Sequence, residues 1–65
     1  MRLEINGAAR DVSATTLAGV IDDLLGTSRG SAAVVDGAVI PRSQWETFAL
    51  RDGQRVELIT AVQGG

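Results

Sequence analysis

The sequence closes on Gly64-Gly65, and the carboxylate that follows them is the group best suited to do chemistry. A terminal carboxyl group has a reference pKa of about 3.3–3.7, so at neutral pH it is an ionised nucleophile able to attack an α-phosphate. Two residues without side chains let such a group thread a narrow enzyme channel and approach an ATP site closely. With glycine at about 7% of average usage, a Gly-Gly ending arises by chance in about one chain in two hundred. A frayed end would look the same in isolation. The remaining residues have to decide between the two.

The side-chain inventory is thin. His, Cys, Tyr and Lys are all absent. That removes the common general bases, the thiol and amine nucleophiles and the nitrogen and sulfur metal ligands together. A serine without a base to activate it is a poor nucleophile, so an enzyme, a bound cofactor and a metal site are not expected. The net charge is -2 and the basic side chains, all arginine, are spread along the chain. No basic stripe faces a phosphate backbone, which argues against nucleic acid. The missing lysines have two readings, an arginine-biased genome or protection of an activated C-terminus from internal amines. Either way, polymers linked through side-chain amines cannot form. Met1 is followed at once by a strand pattern, with no leader and no apolar run of membrane-spanning length. A cytoplasmic protein is expected.

At 65 residues this is one domain. A chain this short buries only about 60% of the surface its unfolded form exposes, which leaves no room for a deep cleft. Arg2 to Asn6 alternate polar and apolar residues, and Asn6-Gly7 is a two-residue hairpin signal that returns the chain through Ala8 to Ser13, with Val12 on the core side. Leu17, Val20, Ile21, Leu24 and Leu25 fall on one stripe of an amphipathic helix, with Thr16 as its N-cap and Gly26 as its stop. Gly19 inside that helix costs about 0.5–1 kcal/mol relative to alanine, so packing has to hold it. Ala32 to Val35 read as a buried strand entering a turn at Asp36-Gly37, Ala38 to Ile40 as a short return ended by Pro41, and Arg42 to Trp45 as a turn or one loop of 3₁₀-helix. Trp45, Phe48 and Leu50 are expected to fill the open end of the core. After a turn at Asp52-Gly53, Arg55 to Thr60 alternate again, with Val56 and Leu58 inward and Ile59 outward.

A last strand that must cover the helix stripe is best placed beside the first strand, in the middle of the sheet. The expected class is α+β, a β-grasp or ubiquitin-like mixed sheet of four to five strands with one main helix on one face. Residues 1–60 form the domain and 61–65 a flexible tail, reaching up to about 3.3–3.6 Å per residue beyond the sheet.

Several residues invite a chemical role and take a plainer one. Trp45, the sole tryptophan, is read as packing. Asp22 and Asp23 lie about 100° apart on a helix, so they do not converge as a metal pair. Ser28 stands beside glycines, yet no strand-to-helix context makes its loop a phosphate cradle, and an acyl carrier would be a helical bundle. Ile59 is different, because an outward apolar residue followed by Ala61 and Val62 forms a patch leading into the tail, where a partner can hold the domain.

Three segments in order, Val39-Ile40-Pro41-Arg42-Ser43-Gln44-Trp45, Asp52-Gly53-Gln54-Arg55-Val56-Glu57 and Ala61-Val62-Gln63-Gly64-Gly65, resemble the ThiS family, the sulfur carriers of thiamin thiazole biosynthesis. The resemblance covers the whole chain. Its Gly-Gly end is common to ubiquitin-like carriers, and the Val-Ile-Pro-Arg-x-x-Trp segment is the more specific piece. It implies that an adenylating partner of the ubiquitin-activating type uses ATP to convert the Gly65 carboxylate to an acyl adenylate. A sulfur donor system drawing on cysteine then displaces AMP, leaving a thiocarboxylate that gives its sulfur to a deoxyxylulose phosphate-derived intermediate on thiazole synthase. On this resemblance Gly65 bears the sulfur, Gly64 is its flexible neighbour, and Ile59, Ala61, Val62 and Gln63 dock the partners. The free carrier is expected to be a monomer. Two alternatives stay open: a carrier serving molybdopterin, cysteine or tRNA thiolation, and a β-grasp interaction module that is never activated. A protein-modifying tag is a weaker third.

Overall fold

The computed structural model describes residues 1–26 and 30–60. Strand β1 (Arg2–Ile5) turns at Asn6-Gly7 into β2 (Ala8–Asp11), and helix α1 (Leu17–Leu25) follows. Then come β3 (Ser31–Val35), β4 (Ala38–Ile40), a 3₁₀ turn at Arg42–Gln44, and β5 (Arg55–Thr60). The sheet order is β2-β1-β5-β3-β4, so the last strand lies in the centre as expected. It runs parallel to β1 and antiparallel to β3. The β1–β2 and β3–β4 pairs are antiparallel hairpins.

Both hairpin turns use their first residue at positive φ, Asn6 at 51° and Asp36 at 49°, each followed by a glycine. Asn and Asp tolerate that region, and paired positive φ values match the twist of the flanking strands. The hairpin signals in the sequence were therefore backbone requirements. β1 ends at Ile5 with Asn6-Gly7 as the turn, as the hairpin signal requires, whereas β2 falls short of expectation and ends at Asp11 instead of Ser13. All of β2 is exposed, since it is an edge strand the helix does not cover, while Val12 beyond it packs half-buried against the core.

Thr16 caps α1 by accepting the Gly19 N–H at 3.2 Å, and Gly26 ends it at φ 73°. The first helical N–H groups are also satisfied by the chain that wraps them. Leu17 donates to Phe48 O and Ala18 to Trp45 O, both at 3.0 Å. This removes the orphan donors every helix start carries. The stripe Leu17, Val20 and Ile21 is buried against Leu3, Ile5, Ala33, Val35, Val56 and Leu58, with Leu24 and Leu25 half-buried at the far end.

Trp45 is 3% exposed, its indole N–H donates to Ile40 O at 2.8 Å, and the Arg42 guanidinium lies over its ring. Trp45 and Leu50 close the open end of the core, whereas Phe48 packs half-buried at its rim. The Val39 to Trp45 segment is thus a structural clasp.

Gly19 has a reason the sequence did not show. A Cβ there would stand 2.9 Å from the Ala14 Cβ, closer than carbon atoms pack, so the chain entering the helix lies directly on its first turn.

Candidate functional site

The end of β5 is where the fold meets the expected chemistry. The last β1–β5 pair is Ile5 with Val56, and β5 continues through residues 57–60 past it. On its other edge the ladder with β3 holds all the way to Ser31 opposite Thr60. The strand therefore leaves the sheet at its middle with one neighbour instead of two.

Where β1 turns away, the Asn6 side chain takes its place. Its Oδ1 accepts the Leu58 N–H at 2.8 Å and its Nδ2 donates to the Leu58 carbonyl at 3.3 Å. At the start of β5, Asp36 makes a related clamp. It accepts the Arg55 N–H at 3.0 Å and the Gln54 amide at 3.1 Å, while its own N–H donates to Arg55 O at 2.8 Å. The Arg55 N–H, and then the Gln54 amide, favour the ionised carboxylate and hold the Asp36 pKa below its ordinary value.

The outer face of the sheet divides in two. Residues paired across a ladder share a face, so the pairs Ala32–Ile59, Val34–Glu57 and Val34–Val39 place Ala32, Val34, Val39 and Ile59 together on the side away from the helix, with the exposed Glu57 among them. Ile59 is 56% and Val39 72% exposed, an apolar surface spread over β5, β3 and β4. The other half carries ion pairs, Arg2 with Asp11 and Arg55 with Glu4, each at 3.1 Å. Arg2 and Asp11 stabilise each other's charged forms, first through their hydrogen bond and then through Coulomb attraction.

Ile59 is thus outward as alternation required, but its described neighbours lie sideways across the sheet. Ala32, Val34 and Val39 were missed because they sit in other elements. Pairing register brings them together, and the signal that could have found them is the unbroken apolar run Ala32 to Val35 in a strand with only one covered face. The other expected site residues, Ala61, Val62, Gln63, Gly64 and Gly65, lie outside the described residues, as does Ser28. Among the described residues no group of three or more His, Cys, Asp or Glu could hold a metal, and no helix is long and apolar enough to cross a membrane. A groove of about 590 Å³ runs between α1 and the 3₁₀ turn, lined by Ala18, Asp22, Arg42 and Glu46 among others. It bears no relation to the end of β5.

One helix laid across one face of a β2-β1-β5-β3-β4 mixed sheet, with a central last strand, defines a β-grasp protein of the ubiquitin-like type. The ThiS family model matches residues 3–65, and the chain belongs to the ThiS family. Among solved structures, the thiamine biosynthesis protein ThiS from Geobacter metallireducens is similar over 100% of both chains, with a TM-score of 0.83 and 22% identity. That likeness shows the shared fold. No curated protein matches the chain. The family the three sequence segments resembled is thus the chain's own, and with it comes the coarse assignment of a small sulfur carrier.

Proposed function

We propose that the chain is the sulfur carrier of thiamin thiazole synthesis and that its working group is the Gly65 carboxylate. The observation that carries this is the position of β5. A central strand ends at Thr60 beside an exposed apolar face, and the sequence continues for residues 61–65 to Gly64-Gly65. An adenylating partner can hold the domain by Ile59, Val34 and Val39 while the tail, up to about 3.3–3.6 Å per residue, reaches its ATP site.

In the first step a Gly65 carboxylate oxygen attacks the α-phosphorus of ATP, pyrophosphate leaves, and an acyl adenylate remains. A sulfur nucleophile at the sulfide level then attacks the acyl carbon, AMP departs, and a thiocarboxylate is left. On thiazole synthase that sulfur is exchanged for an oxygen, from the acceptor's carbonyl or from water, and the carboxylate is restored. The chain holds no cofactor of its own, and ATP is consumed by the partner. Acid–base work lies in the partners, which fits a chain with no His, Cys, Tyr or Lys. On this reading the carrier works in the cytoplasm, where its activating partner draws on ATP.

ATP–pyrophosphate exchange by an adenylating enzyme from the same host tests this. Exchange should depend on the full-length chain and vanish when Gly65 is deleted, with the circular dichroism spectrum unchanged. Equal exchange with the deleted chain contradicts the proposal. The client is read separately, by thiazole formation with thiazole synthase.

A further inference from the structure

We propose that Asn6 is a positioning residue for the reactive end of the chain: its carboxamide stands in for the next peptide unit of β1 and pins β5 at Leu58, just before the residues that lead to Gly65. This rests on the carrier function proposed above.

The ladder shows what is replaced. Glu4 N–H donates to Gln54 O and Asn6 N–H to Val56 O, both at 3.0 Å, in the two-residue step of a parallel pair. The next step would pair a β1 carbonyl with the Leu58 N–H and a β1 N–H with the Leu58 carbonyl. The backbone cannot supply them, because Asn6 at φ 51° already turns into the hairpin. A side-chain amide has the same donor and acceptor as a peptide unit, and both are used on Leu58. Asn6 therefore pairs β5 one step further than β1 reaches.

Leu58 is consequently the last residue of β5 held on both edges, by Asn6 on one side and by the Ala33 register on the other. Among the described residues, Ile59 and Thr60 pair along the β3 edge alone. The clamp thus pins β5 from its second edge at Leu58, one residue before the exposed Ile59 and two before Thr60, from which the sequence continues to Gly65. A reaction whose nucleophile sits at the end of that chain depends on where the chain starts, and a displacement of about 1 Å can cost up to a hundredfold in rate.

Asp36 provides an internal control. It is likewise the first residue of a two-residue turn, at φ 49°, and it clamps the opposite end of the same strand through Arg55. Replacing either residue by glycine removes a clamp and leaves the turn its preferred backbone. Loss of stability alone would act alike in the two variants; loss of tail position would not.

The experiment compares N6G, D36G and the unaltered chain by amide hydrogen exchange and by steady-state adenylation with ATP and an adenylating enzyme from the same host. For N6G the Leu58 amide should exchange faster while the Arg55 amide stays protected. Its kcat should fall about tenfold or more with KM changed less, as for an interaction that aligns reacting groups. D36G should expose Arg55 and keep kcat. N6D, which retains an acceptor for the Leu58 N–H but sets an oxygen against the Leu58 carbonyl, should not recover kcat at neutral pH. Unchanged kcat in a folded N6G, or equal losses in N6G and D36G, overturns the role of Asn6. Failure of the unaltered chain to be charged overturns the carrier function instead.

Discussion

Single residues here carry requirements that composition does not reveal. Gly19 reads as a propensity defect, and replacing a helical glycine by alanine ordinarily gains about 0.5–1 kcal/mol. The 2.9 Å approach to Ala14 reverses the sign. Overpacking costs about 1–3 kcal/mol, so G19A should lower stability by about 1 kcal/mol in urea unfolding. Pairing it with A14G should return most of the loss by vacating the contact. Asp36 makes a pH-dependent contribution of known sign. Its folded pKa lies below the ordinary 3.8 because its carboxylate accepts the Arg55 N–H and the Gln54 amide. Stability from this source is fully present above the unfolded pKa and is lost as pH falls through the folded one. D36N keeps an acceptor and tolerates positive φ, so its deficit relative to the unaltered chain should be steady near pH 7. It should shrink as pH falls through and below 3.8. A deficit that persists unchanged at the lowest pH would contradict this assignment.

At the scale of elements, the clasp from Ile40 to Trp45 holds the helix start against the sheet. Its indole is buried, bonded to Ile40 O, and its own carbonyl receives the Ala18 N–H. Truncating a buried tryptophan costs about 3–5 kcal/mol, comparable to all the stability a core of this size supplies. W45A should therefore be unfolded by circular dichroism, and W45F folded but weaker, having lost volume and the hydrogen bond. What the sequence made legible follows the same logic. Period-two alternation named β1 and β5 and a helical stripe named α1, because each sets one face on a single core, while turn residues that must take positive φ marked out β2, β3 and β4. The central place of β5 followed from the need to cover the helix. The end of β2 at Asp11 was less legible, because an edge strand has no buried face to mark where it stops. The Asn6–Leu58 pairing was not legible at all, since it joins residues 52 positions apart.

For the whole molecule, the division of the outer face into apolar and ion-paired halves separates docking from folding. Ile59 is largely exposed, and surface substitutions of this kind change stability by about 0.5 kcal/mol or less. I59S should keep its unfolding midpoint while raising the KM of the carrier for its adenylating enzyme; an unchanged KM would detach the apolar face from docking. The exposed ion pairs, by contrast, are screened by solvent and should fade with salt without altering the tail chemistry. The proposed carrier contributes position and a carboxylate, and its partners supply the catalysis. Intact mass spectrometry tests that most directly, on the chain co-expressed with its host's adenylating enzyme and a sulfur source beside a Gly65-deleted control. A full-length-only increase equal to one oxygen replaced by sulfur, placed on Gly65 by fragmentation, is the predicted result. An unchanged mass, from an enzyme shown to charge another carrier, would contradict the account.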